Sequence, residues 1–207
     1  MVQLHRIFVH IRHCLKNLKI SKMIIRKAVF EDAKEIVPHL LLAMGDIAYK
    51  FIGRNDYETA KEFLFYFAAR ENNQYSYQNC YVAEENNEIL GAVNIYNGAD
   101  LNALRLPVMQ YIRSHYNAGF APEDETESGE FYIDALGVDP KQQGKGIGSQ
   151  LLEFLIDEFV TKNHQILGLL VEVDNPSAKK LYLKLGFKPI GIKTLVGKKL
   201  EHLQIRS

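Results

Sequence analysis

Apolar residues recur along the chain with two different periods, and the switches between them mark out the elements. The segment 23–29, MIIRKAV, reads as a short strand. Over 30–49, FEDAKEIVPHLLLAMGDIAY, residues Ala33, Ile36, Val37, Leu40 and Leu41 fall three and four apart, the spacing of one buried helix face. Pro38 is expected to bend or divide that helix. A second helix is predicted over 57–70, where Ala60, Phe63, Leu64 and Phe67 share a side and serve ordinary core packing. Residues 80–96 give two strands about a Glu-Asn-Asn-Glu turn, hence a β-hairpin. Residues 97–129 then lose the pattern. Apart from a helix around 106–116 they read as an irregular insertion that runs into the acid-rich 121–130, APEDETESGE, and such a length inside a compact domain points to a lid or an insert.

From residue 130 strand and helix alternate strictly. EFYIDALGV (130–138) is a strand, and 144–160 is a helix burying Ile147, Leu151, Leu152, Leu155, Ile156 and Phe159. ILGLLVEV (166–173) is apolar enough for a central strand. A short helix follows, with Asn175 as N-cap, Pro176 in its first position and Gly186 as its stop. Weak strand signals continue to the C-terminus.

With 207 residues, 47% of them hydrophobic, the chain has room for one domain with a buried core. Lys plus Arg and Asp plus Glu both number 25, so no overall charge argues for nucleic acid or anionic lipid. No apolar run reaches the roughly 18 residues of a membrane span. Cys14 and Cys80 allow at most one disulfide, which favours a reducing, cytoplasmic setting, and Cys80 reads as a buried structural thiol. Of the seven His residues, His10 and His13 stand in H-x-x-H spacing, inside the basic N-terminal stretch, and no H-E-x-x-H occurs, so no metal site is expected. Residues 1–22 carry five Lys or Arg and no acid. They are expected to be a basic extension, disordered or not native, with a transit peptide as the alternative and the domain itself occupying 23–207.

Candidate chemistry concentrates in 138–152, VDPKQQGKGIGSQLL. A strand ends, Pro140 turns the chain, Gly144, Gly146 and Gly148 follow within five residues, and an amphipathic helix opens. Glycines there let the backbone approach a ligand, and the free N–H groups of a helix N-terminus suit a diphosphate, with Lys145 adding charge. The same glycines also make a plain start to a helix. The loop is not G-x-x-x-x-G-K-[ST], since Gly146 follows Lys145, nor G-x-G-x-x-G, since its glycines are spaced two and two. Glu172 or Asp174 could still imitate the ribose-binding acid of a dinucleotide fold, which leaves a nucleotide-binding domain open.

Gln143-Gly-Lys-Gly146-Ile-Gly148 matches the Q/R-x-x-G-x-G/A loop of the GCN5-related N-acetyltransferase (GNAT) superfamily, and 175–187, NPSAKKLYLKLGF, resembles its second signature. The opening MIIRKAVFEDAKEI is similar too, so the resemblance spans roughly 23–190. It implies an α/β fold of mixed (α+β) type, a twisted mixed β-sheet flanked by helices, and transfer of an acetyl group from acetyl-CoA as co-substrate to an amine. By the same resemblance the loop Gln143, Gly144, Lys145, Gly146, Ile147, Gly148 and Ser149 would hold the diphosphate. The strand residues Leu136, Gly137 and Val138 would pair with the pantetheine arm. An N–H at Val138 or Leu136 would serve as oxyanion site, Asn175 would touch pantetheine, and Tyr182 would be the general acid.

Asp134 stands where some members of the superfamily carry a catalytic His. Strand alternation puts Glu130, Tyr132 and Asp134 on one face, so Asp134 or Glu130 becomes the candidate base, or the group that recognises an ammonium. The run Glu123, Asp124, Glu125, Glu127 and Glu130 has no counter-charge nearby in sequence and is read either as a solvated loop or as a lure for a cationic acceptor. The expected reaction is direct acetyl transfer to a small cationic primary amine. The alternatives are a non-catalytic acyl-CoA sensor and a nucleotide-binding domain, and a homodimer is left open.

Overall fold

The structure is a computed structural model that describes residues 22–207. The basic extension expected over 1–22 falls, Lys22 apart, outside the described residues. Strands β1 (Ile24–Lys27), β2 (Cys80–Glu85), β3 (Glu88–Asn97), β4 (Phe131–Val138), β5 (Leu167–Glu172), β6 (Lys188–Leu195) and β7 (Lys198–Ile205) form one sheet in the order β1-β2-β3-β4-β5-β7-β6. Among the described strands only β4 and β5 pair in parallel. A nucleotide-binding domain of the doubly wound kind would need a mostly parallel sheet, so this topology removes that alternative. The expected mixed sheet flanked by helices is what the chain forms.

Period-2 alternation along the strands feeds two cores. Val82 and Ala92 face one side, where they meet α1 (Ala33–Met44), α2 (Asp46–Ile52), α3 (Tyr57–Ala68) and α4 (Leu101–His115). Their neighbours Ala83 and Val93 face the other, against α5 (Ile147–Leu155, continued as a π-helix over Ile156–Lys162) and α6 (Pro176–Lys184). The β2–β3 turn is formed by Asn86 and Asn87 with φ of 54° and 63° between the paired Glu85 and Glu88, the left-handed geometry of a tight hairpin.

Two expectations need correction. Pro38 does not divide its helix: it lies on the exposed side of α1, as does Lys34, whose carbonyl loses a partner to the proline, so water can serve that group. The break comes at Gly45, whose φ of 53° ends α1 and starts α2. Residues 97–129 are also less irregular than expected. After a short turn at Gly98–Asp100, α4 covers Leu101–His115 and buries Leu101, Arg105, Val108 and Ile112, which leaves only 116–130 as loop. An Arg on the buried face, with Pro107 inside, hides this helix from a hydrophobic pattern.

Candidate active site

The β4–β5 ladder runs only from Phe131–Leu167 to Ile133–Leu169. Beyond it the strands part, and Asp134–Val138 and Leu170–Glu172 line a cleft of about 470 Å³ together with the end of α1, the start of α2, Leu195 and Leu200. On β4 the register against β3 slips between Asn94 and Ile95, leaving Asp134 as an extra residue in a β-bulge. Tyr132, Asp134 and Ala135 thus all turn toward the α1–α4 side, while Ile133, Leu136 and Val138 pack on the α5–α6 side. Asp139 N–H donates to Leu90 at 2.9 Å. Counting back along an antiparallel ladder, the amides of Gly137 and Ala135 also face β3, and those of Val138 and Leu136 face the cleft. Gly137 plays a different part: a Cβ there would run into the His39 carbonyl, so its bareness lets α1 press on β4.

The glycine loop opens on this cleft. Asp139 accepts from Lys141 N–H at 2.8 Å and shapes the turn Pro140–Gln142; Gly144 and Gly146 then adopt φ of 79° and 81°. Space around both is open, with nothing within 4 Å of a Cβ built on Gly144. Gly146 caps α5 without a side chain, and the first intrahelical bond runs from Gln150 N–H to its carbonyl at 3.0 Å. The amides of Ile147, Gly148 and Ser149 therefore lie ahead of the helix ladder and point outward with the positive end of its dipole. The Ile147 side chain itself is core. Lys145 Nζ is tied to Gln142 Oε1 at 2.6 Å, and Gln143 lines the cleft. Gly146→Glu puts a carboxylate and a strained φ where backbone would meet phosphate, and calorimetry should find coenzyme A binding lost in a variant that still folds. Unchanged affinity would make the loop a helix start only.

Asp134 and Tyr182 both line the cleft. Asp134 Oδ2 accepts from Gln74 Nε2 at 2.9 Å and from the Tyr96 hydroxyl at 3.3 Å. Burial, and then the charge of Glu125, push its carboxyl up to about 7 despite these donors. Burial also raises the Tyr182 phenol, which keeps its proton at neutral pH while its ring packs edge-on to Phe187 at 6.0 Å. Asn175 lines the cleft as well; its Oδ1 caps α6 by accepting Ala178 N–H at 3.1 Å, leaving its amide nitrogen as a donor.

Glu130 is placed elsewhere. It is buried, reaches over the bare backbone of Gly168, and accepts from Thr126 Oγ1 at 2.6 Å, Gln204 Nε2 at 2.7 Å and His202 Nε2 at 2.9 Å. Burial acts to raise its pKa, but the bonds from His202, Thr126 and Gln204 outweigh it and hold the carboxyl below its ordinary value. The acidic run does have a counter-charge: Arg105 on α4 meets Asp124 at 3.0 Å and the buried Glu125 at 2.8 Å. Glu123 accepts Val196 N–H at 2.8 Å in the β6–β7 turn. Of the run, only Glu125 lines the cleft. Sequence reasoning missed Gln74, Tyr96 and Arg105. The polar string 72–79 between α3 and β2, and an Arg at a core position of α4, are the signals that pointed to them. Cys80 is buried and free, with its thiol pushed up to about 12 by burial, a structural role.

The sequence profile of the acetyltransferase (GNAT) family matches residues 48–187, more than half of the chain. The N-alpha-acetyltransferase RimI of Mycobacterium tuberculosis is 36% identical over 76 residues, 37% of this chain and 46% of that protein. The [ribosomal protein bS18]-alanine N-acetyltransferase of Salmonella typhimurium is 43% identical over 58 residues, 28% of this chain and 39% of that one. In both cases the matched stretch spans less than half of the relative's own length. An N-acetyltransferase from Staphylococcus aureus Mu50 superposes with a TM-score of 0.75 at 20% identity, covering 88% of this chain and 100% of the other. A second acetyltransferase crystal structure gives 0.72 at 30% identity, covering 88% and 98%. With strand order, splayed cleft, glycine loop and these matches in agreement, the chain belongs to the acetyltransferase (GNAT) family.

Proposed function

We propose that the protein is an N-acetyltransferase that moves an acetyl group from acetyl-CoA directly to a small cationic primary amine. The observation that carries this reading is one cleft that holds a carboxyl raised to about 7, Asp134, and a phenol that keeps its proton, Tyr182. Acetyl-CoA supplies an activated acyl group on sulfur and a thiolate leaving group. The cleft fits it: open, positive-φ glycines precede three outward amides at Ile147, Gly148 and Ser149 for a diphosphate, and β4 offers an unpaired strand edge for the pantetheine amides. Gln143, Lys145 and the Asn175 amide flank that path.

Asp134 takes a proton from the acceptor ammonium, directly or through a water, and releases the neutral nitrogen for attack. The Val138 or Leu136 N–H, facing the cleft, stabilises charge that develops on the carbonyl oxygen. Tyr182 gives its proton to the departing sulfur, and the second nitrogen proton, released as the amide forms, restores the phenol. Glu130 is the weaker base of the two carboxyls, since its three donors favour the ionised form without a proton to accept. A cationic acceptor is favoured by Asp134: among the described residues lining the cleft, Glu125 is paired with Arg105, and Asp46 and Glu172 with Lys198, which leaves Asp134 as the acid without an ion-pair partner.

The test is calorimetry with acetyl-CoA followed by thiol-release assays over a panel of amines. Absence of binding at millimolar coenzyme overturns the reading, and binding without thiol release on any amine favours the acyl-CoA sensor. Tyr182→Phe retains the ring and removes the proton, so kcat should fall while coenzyme affinity stays near wild type. Wild-type turnover in that variant would return Tyr182 to the core.

A further inference from the structure

Asp134 shares its hydrogen-bond donors with a second buried carboxylate. Gln74 Nε2 lies 2.9 Å from Asp134 Oδ2 and 2.6 Å from Glu125 Oε1; the Tyr96 hydroxyl lies 3.3 Å from the first and 3.0 Å from the second. The Gln74 amide has two hydrogens and can serve both carboxylates at once, whereas the Tyr96 hydroxyl has one and must choose. Glu125 is buried and its Oε1 accepts from Arg105 NH2 at 2.8 Å. The other titratable groups around this point are Tyr75 in the segment before β2, Cys80 on β2, Tyr96 on β3 and Tyr132 on β4. Burial holds each of them in its neutral form, so Glu125 on the loop and Arg105 on α4 are the charges that Asp134 feels.

We propose that Glu125 is a positioning residue for the deprotonation of the acceptor: through Gln74 and Tyr96 it fixes the Asp134 carboxylate in place, and its own negative charge makes Asp134 a stronger proton acceptor. When Asp134 is ionised, Tyr96 donates to it. When Asp134 has taken the proton from the ammonium, Tyr96 turns its hydrogen to Glu125, so the single hydroxyl hydrogen follows the negative charge and no proton leaves Tyr96. Arg105, 2.8 Å from Glu125, holds that side chain in place beside Asp134. The role in catalysis rests on the reading of Asp134 as base.

Opposite shifts distinguish this from mere support of the fold. The acid limb of the pH profile of kcat/KM is to be measured for the wild type, Glu125→Gln and Tyr96→Phe, alongside direct titration of the Asp134 carboxyl carbon by NMR in the same proteins. Glu125→Gln removes a like charge and should move both limb and titration down by about one pH unit; Tyr96→Phe removes a donor to the ionised form and should move both up. If Glu125→Gln leaves Arg105 too poorly paired to fold, the double variant Arg105→Gln, Glu125→Gln carries the test, with a smaller downward shift because Glu125 outweighs Arg105 at Asp134. A carboxyl titration that stays put in these variants overturns the inference and leaves the base reading standing. A titration that moves while the rate limb does not overturns the base reading, and with it the part of Glu125 in the reaction.

Discussion

Replacing Asp134 by Asn should lower kcat by about 10²–10⁴-fold, the range of a lost general base, with coenzyme affinity unchanged by calorimetry. The residue is suited to this comparison because Asn keeps an oxygen for Gln74 and Tyr96 and alters little else in the cleft. Wild-type activity should rise with pH through the Asp134 value of about 7 and level off above it, and that limb should vanish from the residual activity of the variant. Stability should move the other way. A carboxyl raised from 3.8 to about 7 binds its proton more tightly in the folded state, so its contribution is present below the unfolded value and is lost as pH climbs through 7. Relative to the wild type, the melting temperature of Asp134→Asn should therefore improve between pH 5 and pH 8. A variant with full kcat, or one whose stability difference is flat across that range, would remove Asp134 from the chemistry.

Arg105→Ala is expected to produce the largest loss of stability, about 3–5 kcal/mol by urea denaturation, because it strands a buried carboxylate. The Arg105 and Glu125 side chains are 6% and 3% exposed, so solvent cannot take over the charge of either. Asp124, at 63%, loses little. The same guanidinium holds the Glu123 carbonyl at 3.2 Å, so its removal frees the loop that carries Glu125 to the cleft. Activity should fall with stability. A midpoint within about 0.5 kcal/mol of wild type would show that the pair is incidental. For the same reason, neutralising the whole acidic run cannot serve as a test of electrostatic attraction alone.

Elements with local signals were legible in the sequence. The asparagine turn fixes the β2–β3 hairpin, Asn175 and Gly186 bound α6, and the spacing of Ile36, Val37, Leu40 and Leu41 gives the face of α1. The loop from Gln143 to Gly148 shows in its glycines, and the resemblance to the GNAT superfamily points to Tyr182 and Asp134, which both line the cleft. What escaped depends on partners far away in the chain. Alternation groups Glu130 with Asp134 but does not give their reach: the first bends over Gly168 to Gln204 on β7 and the second turns into the cleft. Arg105 interrupts the apolar face of α4, since the partner that lets it be buried lies 20 residues on, at Glu125. Gly45 was read through because its neighbours on both sides continue the helical spacing.

The parting of β4 and β5 gives this sheet two inward-facing rims in addition to its outer ones. An unpaired rim is normally an aggregation hazard, since it offers a template to any extended chain. Here the β6–β7 turn closes over the mouth: Lys198 spans Asp46 on α2 at 2.7 Å and Glu172 on β5 at 2.6 Å, and Lys50 holds the Val196 carbonyl at 3.1 Å. A slender single-file ligand can lie along the slot, whereas another protein's strand, with its own neighbours attached, cannot reach it. The protein can thus keep an open backbone ladder for recognition while withholding it from other copies of itself.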